Sequence, residues 1–89
     1  MRTITLVHHR VADFDAWKQV YDSFVDQPDA GVPLGVWRDR DDPNAVVVVH
    51  AFDSFEQAQA LFSSEELKGA MEQAGVDTSS LRIEFLDEV

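Results

Sequence analysis

Three histidines are the side chains best suited to proton chemistry in this sequence, because imidazole titrates near neutrality without help. His8 and His9 are adjacent in a strand pattern and so point to opposite faces, which prevents them from chelating one metal together. We predict His9 as a catalytic base that moves a proton on a phenol, an enol or an activated C–H. His8 and His50 are predicted ligand contacts. The alternative for all three is a hydrogen-bonded histidine at a strand end.

Five further side chains are candidates for contacting a small molecule. Trp37 offers a flat surface for stacking, and Arg38 suits a carboxylate or an enolate oxygen. Phe24 and Phe62 are predicted at the inner end of a pocket between helices and sheet, with core packing as the alternative. Arg82 is predicted in a cross-pocket ion pair with Glu84, with a partly exposed surface pair as the alternative. For Trp37 and Arg38 the alternatives are edge-strand packing and a surface ion pair.

Several classes of site are excluded or disfavoured by composition. The chain has no cysteine, which excludes disulfides, thiol nucleophiles and Cys-ligated metal centres. His9, His50 and a carboxylate such as Glu84 would imitate a two-His-one-carboxylate site, but their spacing matches no metal motif. Glycine-rich phosphate loops and nucleophile elbows are also absent. We therefore predict a protein that uses no metal and no cofactor.

The charge balance limits the partners. Seventeen acidic residues against seven basic ones give a formal charge of −10, which repels nucleic acid and anionic membranes. The first residues enter a strand pattern without an apolar signal region, and no run of about 18 apolar residues occurs. We expect a cytoplasmic protein that acts on a small molecule, with neither nucleic acid nor membrane as a partner.

Alternating and helical periodicities define the first half of the chain. Residues 3–9 are predicted as a strand, with Ile4 and Leu6 facing the helices and His9 on the open face with Thr5 and Val7. Asp13 is a predicted N-cap for a helix that runs to about residue 27 and carries one apolar stripe. The second strand is predicted at 34–39, followed by a polar turn at 40–44.

The third strand, residues 45–52, contains four consecutive valines, Val46 to Val49. Such a run is typical of a central strand that is covered on both faces. Two helices can cover only one face of a sheet this small, so we predict that a second copy of the chain covers the other face. We expect this third strand to lie beside the first as a parallel neighbour, which brings His50 near His8 or His9.

Helical signals return in the second half. Ser54 with Gln57 and Ser63 with Glu66 are predicted capping boxes for two short helical segments. Gly75 is the predicted stop. The last strand is predicted at 81–85. The whole chain, 1–89, is thus predicted to be one α+β domain of ferredoxin-like β-α-β-β-α-β pattern with a four-stranded antiparallel sheet.

The sequence also resembles a known family. Four stretches carry the likeness: residues 8–18, Arg38 with residues 41–48, residues 62–67 with 71–76, and residues 82–86. They are similar to small proteins of the dimeric α+β barrel superfamily that are labelled antibiotic-biosynthesis-monooxygenase-like or "cyclase". The resemblance implies a homodimer whose two sheets face each other, with a pocket against its own helices or against the partner sheet.

The resemblance implies two classes of function. Some members oxidise or cyclise aromatic polyketide-like molecules without metal or flavin, and others degrade haem or only bind small molecules. The Asn–Trp–Tyr–Arg pocket of the family's cofactor-free oxygenases does not map onto this chain. Its only Asn, Asn44, lies in a turn, and its only Tyr, Tyr21, lies in the helix stripe. We therefore expect cofactor-independent proton transfer on a flat apolar molecule, with a non-catalytic binding or dimerisation module as the alternative.

Overall fold

The computed structural model describes all of residues 1–89, and its elements alternate as the sequence predicts. The predicted α+β fold with a four-stranded antiparallel sheet is confirmed. The second crossover is divided into two short helices. In chain order the elements are β1 (Thr3–Val11), α1 (Phe14–Val25), a 3₁₀ turn (Pro28–Ala30), β2 (Val32–Arg38), β3 (Ala45–Phe52), α2 (Phe55–Phe62), α3 (Glu65–Gln73) and β4 (Val76–Asp87).

Polar side chains start all three helices. Asp13 accepts hydrogen bonds from the backbone of the first turn of α1, and Ser54 accepts one from Gln57 N in α2. The cap of α3 is Ser64, which accepts from Leu67 N, and not Ser63 as predicted. Ser63 still has the helical backbone of the end of α2, whereas an N-cap needs the extended backbone that Ser64 adopts.

The sheet order is β2-β3-β1-β4, so β3 and β1 are the two central strands. The prediction that β1 and β3 are parallel was wrong, because they pair in antiparallel register. Thr5 therefore lies opposite His50, and His9 lies opposite Val46. Directly opposed residues point to the same face, so Thr5, His9 and His50 share one side of the sheet.

The two faces of β1 are the reverse of the prediction. Thr5, Val7 and His9 face the helices and are buried, whereas Ile4 and Leu6 lie on the open side and are only half-buried. The prediction that Thr5, Val7 and His9 share one face of the sheet is confirmed. The prediction that this is the open face was wrong.

The last strand is longer than predicted, because β4 begins directly after Gly75 and not at residue 81. Gly75 has φ 75°, which ends α3 in the left-handed region. Val76 then pairs at once with Val11, and an irregularity in the register falls between His8 and Arg10. At this irregularity the Arg10 backbone N–H donates a hydrogen bond to Ser80 Oγ at 2.9 Å. The polar residues before position 81, whose types are typical of a loop, therefore belong to the sheet.

The core lies entirely between the sheet and the helices, in two clusters. One is built around Trp17 and the valines of β1 and β3, and the other around Phe24, Phe52 and Leu61. Val46 and Val48 belong to the first cluster, while Val47 and Val49 point to the open side and remain half-buried. None of the helices, the longest having 12 residues, is long and apolar enough to cross a bilayer.

Candidate functional site

A cavity lies between the helix layer and the sheet, bordered by both core clusters. Its lining is apolar except for Thr5, His9, Tyr21 and His50. The lining contains no Asp, Glu, Lys or Arg side chain, although the whole chain is strongly acidic. A lining of this kind suits a neutral ligand, because an ion would leave water without gaining a charged partner.

Tyr21, on α1, and His50, on β3, are joined by a short hydrogen bond. Tyr21 Oη lies 2.7 Å from His50 Nε2, and His50 Nδ1 lies 2.6 Å from the Ala30 carbonyl oxygen. A carbonyl oxygen only accepts, so Nδ1 carries the hydrogen and donates it. Burial lowers the pKa of His50, partly opposed by the Ala30 bond. The neutral ring therefore has a bare Nε2, to which the Tyr21 O–H donates.

The position of the Ala30 carbonyl depends on the turn after α1. Pro28 opens a 3₁₀ turn, and Gly31 closes it with φ 77°. A Cβ at Gly31 would lie 2.7 Å from the Phe52 ring and 2.9 Å from the Ala51 carbonyl oxygen. Only glycine allows this backbone to approach β3 so closely, and that approach sets the Ala30 carbonyl against His50.

His9 lies further along β1 and is 6% exposed. Its ring packs at 5.5 Å against Trp17, and Trp17 in turn stacks on Tyr21 at 5.0 Å. The buried Nδ1 of His9 has no hydrogen-bond partner. Burial lowers the pKa of His9, so the ring is neutral at pH 7, although a backbone interaction with Val7 opposes the shift.

Thr5 supplies a second unpartnered polar atom. The residue is completely buried, and its Oγ1 makes no hydrogen bond. It lies beside His50, its partner across the strand pair, and therefore at the same end of the cavity as Tyr21. Buried polar atoms without partners are uncommon in folded proteins and call for an explanation, which a ligand in the cavity would provide.

The cavity is small, and α3 separates it from a larger groove. Its volume is about 70 Å³, whereas a cavity that holds benzene has roughly 150 Å³. A groove of about 460 Å³ runs on the other side of α3, toward β4. Phe62, Leu67 and Met71 line both spaces. Because α3 is the only one of the three helices without a buried residue, it is the helix that can move at least cost.

The remaining predicted polar contacts lie on the open side of the sheet. His8 Nε2 is 2.8 Å from Glu84 Oε1, and Arg82 approaches the same carboxylate oxygen at 3.5 Å. These groups are partly exposed, with 68% of the Arg82 side chain accessible. They form a cross-strand polar cluster that does not reach the cavity.

Trp37 and Arg38 also lie outside the cavity. Trp37 is 55% exposed on the open side, where its indole covers Gly35. Arg38 is on the helix side of the edge strand, and its guanidinium stands 4.4 Å from the centre of the Phe14 ring. Neither side chain lines the cavity, although Trp37 adds apolar surface to the open face.

The cavity thus brings together half of the predicted site residues. His9, His50, Phe24 and Phe62 line it, and His8, Trp37, Arg38 and Arg82 do not. Sequence reasoning missed Tyr21 and its bond to His50, since Tyr21 was placed only in the apolar stripe of the helix. The only available signal was that Tyr21 is the one residue with a hydroxyl in the apolar stripe of α1.

No group of three or more His, Asp or Glu side chains is arranged to hold a metal ion. The two histidines and the glutamate that were considered from the sequence as metal ligands lie on opposite faces of the sheet. His9 and His50 face the helices, and Glu84 pairs with His8 on the open side.

No family model and no curated protein matches this chain. Solved structures do match it over nearly their full length. A candidate antibiotic biosynthesis monooxygenase from Caulobacter crescentus CB15 superposes with a TM-score of 0.75 at 16% identity, covering 99% of this chain and 90% of that one. A NIPSNAP family protein from Agrobacterium tumefaciens C58 gives 0.68 at 11% identity, covering 100% and 94%. A second candidate monooxygenase, from Chloroflexus aurantiacus J-10-fl, gives 0.61 at 19% identity, covering 98% and 93%.

These likenesses show that the chain has the fold of these proteins. They bear out the resemblance seen in the sequence at the level of the fold. At 11–19% identity they carry no residue-level assignment of activity. The chemistry must therefore be argued from the cavity itself.

Proposed function

We propose that this protein binds a small, neutral, flat and largely apolar molecule between its helices and its sheet, and transfers a proton on it with His9 as the base. The observation that carries the proposal is the unpartnered Nδ1 of a neutral, buried histidine in an apolar cavity. A base in such a place is not solvated by water, so proton transfer to it needs little solvent reorganisation.

The ligand is larger than the cavity. Its inner part occupies the space beside Thr5 and His9, and the remainder extends beneath α3 into the groove. The shared lining by Leu67 and Met71 supports this arrangement, because a shift of these two side chains would join the two spaces. Replacing Met71 by Trp should block the connection and weaken binding. Gln73→Trp, which adds the same bulky side chain at an exposed position of the same helix that lines neither space, is the matched control and should leave binding unchanged.

The active form is a homodimer in which two open sheet faces meet. Ile4, Leu6, Val47 and Val49 are half-buried on a face that no helix covers, and exposed Trp37 extends the same surface. An apolar sheet face of this extent is unusual for a monomer. The names of the structural neighbours suggest monooxygenase-type chemistry, and the proton-transfer step proposed here is compatible with it.

Light scattering after size-exclusion chromatography tests the dimer. The wild-type chain should have twice the monomer mass at micromolar concentration. Leu6→Asp should make it monomeric, because the carboxylate would enter the interface in both copies. Gln59→Asp adds the same charge on the exposed side of α2 and should leave the dimer intact. A wild-type monomer would contradict the assembly.

Hydrogen exchange into indan-2-one, a flat neutral ketone with acidic C–H groups, tests the chemistry. In D₂O the wild-type protein should accelerate deuterium uptake, measured by mass spectrometry, and His9→Gln should remove most of the acceleration. His8→Gln, on the opposite face, should keep it. Binding of the ketone without any acceleration would favour the non-catalytic alternative, a small-molecule-binding module.

A further inference from the structure

We propose that Tyr21 and His50 form a proton-accepting relay at the Thr5 end of the cavity, in which Tyr21 contacts the ligand and His50 receives the proton. This inference rests on the proposed binding of a small molecule in the cavity. It assigns a second proton site, separate from His9. Thr5 and His9 are four residues apart on one strand, which separates them by about 13 Å at roughly 3.3 Å per residue.

The hydrogen-bond directions fix the polarity of the relay. His50 Nδ1–H is committed to the Ala30 carbonyl at 2.6 Å, so Nε2 has only a lone pair to offer. The Tyr21 hydrogen points at that lone pair across 2.7 Å. The Tyr21 oxygen therefore presents only lone pairs to the cavity. At rest this pair can accept a hydrogen bond or a proton from a ligand and has none to give.

A relay overcomes the weakness of tyrosine as a base in this setting. Burial raises the pKa of Tyr21 to about 12, so a free phenolate is inaccessible near neutral pH. In the relay no phenolate forms. The ligand O–H bond breaks and the ligand's proton binds Tyr21 Oη. At the same time the original Tyr21 O–H bond breaks, and the tyrosine's own proton binds His50 Nε2. The products are a ligand oxyanion and an imidazolium, with no electron transferred to or from any other reactant.

Thr5 completes the site. Its unpartnered Oγ1 lies at this end of the cavity, and a hydroxyl both donates and accepts. A ligand group that donates to Tyr21 and accepts from Thr5 would satisfy both oxygens, and a neutral hydroxyl is the simplest group that does so. The Thr5 hydrogen would then stabilise the oxyanion that the relay produces.

The relay can be read with 2-naphthol, a neutral flat alcohol whose emission moves to longer wavelength when its hydroxyl loses a proton in the excited state. Excitation beyond the tryptophan absorption reports the probe alone. Bound to the wild-type protein, it should show naphtholate emission. His50→Gln should shift bound emission to the neutral form, because glutamine accepts the Tyr21 hydrogen bond but not a proton. Tyr21→Phe should do the same, while His8→Gln should keep the wild-type spectrum.

Nitrogen chemical shifts of the histidines in the ligand-free protein provide an independent test. His50 should show a protonated Nδ1 and a bare Nε2, and the opposite tautomer would overturn the relay. Bound naphthol with only neutral emission in the wild type would also overturn it, while leaving the binding proposal intact. Failure of naphthol to bind would contradict the proposed function instead, and the nitrogen shifts would still decide the polarity of the Tyr21–His50 pair.

Discussion

His8 and His9 are neighbours in the chain, yet they have opposite surroundings. His8 points to the open side of the sheet, where Glu84 and Arg82 share a polar cluster with it. His9 points to the helix side, where it is 6% exposed and its Nδ1 has no partner. One residue step along a strand therefore separates a paired surface histidine from an unpaired buried one.

The same contrast holds for the two sides of the whole sheet. The helix side is closed by three helices and carries polar atoms that the fold leaves unsatisfied. The open side is apolar in its centre and satisfies its polar groups at the margin. Stability alone would favour the reverse distribution, with Ile and Leu inside and Thr and His outside. The helix side is therefore built around a cavity and not only around a core.

The two tryptophans offer the largest test of this contrast. Trp17 is 4% exposed and contacts His9, Phe14 and Tyr21, so Trp17→Ala should lower the free energy of unfolding by about 3–5 kcal/mol. Trp37 is 55% exposed in the single chain, so Trp37→Ala should cost less than about 1 kcal/mol within one subunit. Denaturant unfolding monitored by circular dichroism measures both. The total cost of Trp37→Ala should also depend on protein concentration, because Trp37 lies on the proposed dimer face.

Equal losses for the two substitutions would contradict the division of the sheet into a core side and an association side. A loss for Trp37→Ala that is independent of concentration would place this residue in the folding core. The exposure of its ring argues against that outcome.

Acidification is the second test, and it acts through the buried histidines. Burial lowers the pKa of His9 and His50 in the folded chain below the ordinary value of 6.5. Below pH 6.5 the unfolded chain therefore binds protons that the folded chain excludes. The contribution of these two rings to stability should be constant well above this pH and should fall as the pH drops below 6.5. The slope should be at most about 1.4 kcal/mol per pH unit for each histidine.

His9→Gln and His50→Gln should each remove about half of this slope, measured by urea unfolding at a series of pH values. Carboxylates do not obscure the result. Hydrogen bonds lower the pKa values of Asp42, Asp77 and Glu88 in the folded chain, so the stability that these carboxylates contribute is lost mainly as the pH falls through and below their unfolded-chain values of 3.8 to 4.5, under the range in which the histidines act. An unchanged slope in both variants would show that the two rings are not excluded from protonation in the folded chain.

Much of the fold could be predicted because its signals are local. The valine run correctly marked β3 as a central strand, Asp13 and Ser54 marked helix starts, and Gly75 marked a helix end. Each of these depends on a few neighbouring residues. The face of β1 could not be assigned in this way, because both of its sides carry apolar residues and the choice depends on where the helices pack.

The candidate site was less accessible to prediction for the same reason. His9 was identified from its residue type, but the Tyr21–His50 bond joins residues 29 positions apart in sequence. It exists because α1 turns Tyr21 toward the sheet and the antiparallel register places His50 opposite Thr5. The tautomer of His50 depends further on the Ala30 carbonyl, which a glycine at position 31 brings into range. No local pattern carries this information.

Thr5 gives the smallest effect and the sharpest separation between stability and function. Thr5→Val replaces a buried, unpartnered hydroxyl with a methyl group of similar size. It should raise the free energy of unfolding by about 1 kcal/mol, because a desolvated polar atom is removed. The same change should weaken binding of 2-naphthol, since a hydrogen-bonding partner for its hydroxyl is lost. Calorimetry measures both quantities, and Thr78→Val, at an exposed position of β4, serves as the stability control. A protein that became less stable would show that Thr5 Oγ1 has a structural partner, whereas higher stability with weaker binding is expected only of a hydroxyl retained for a ligand.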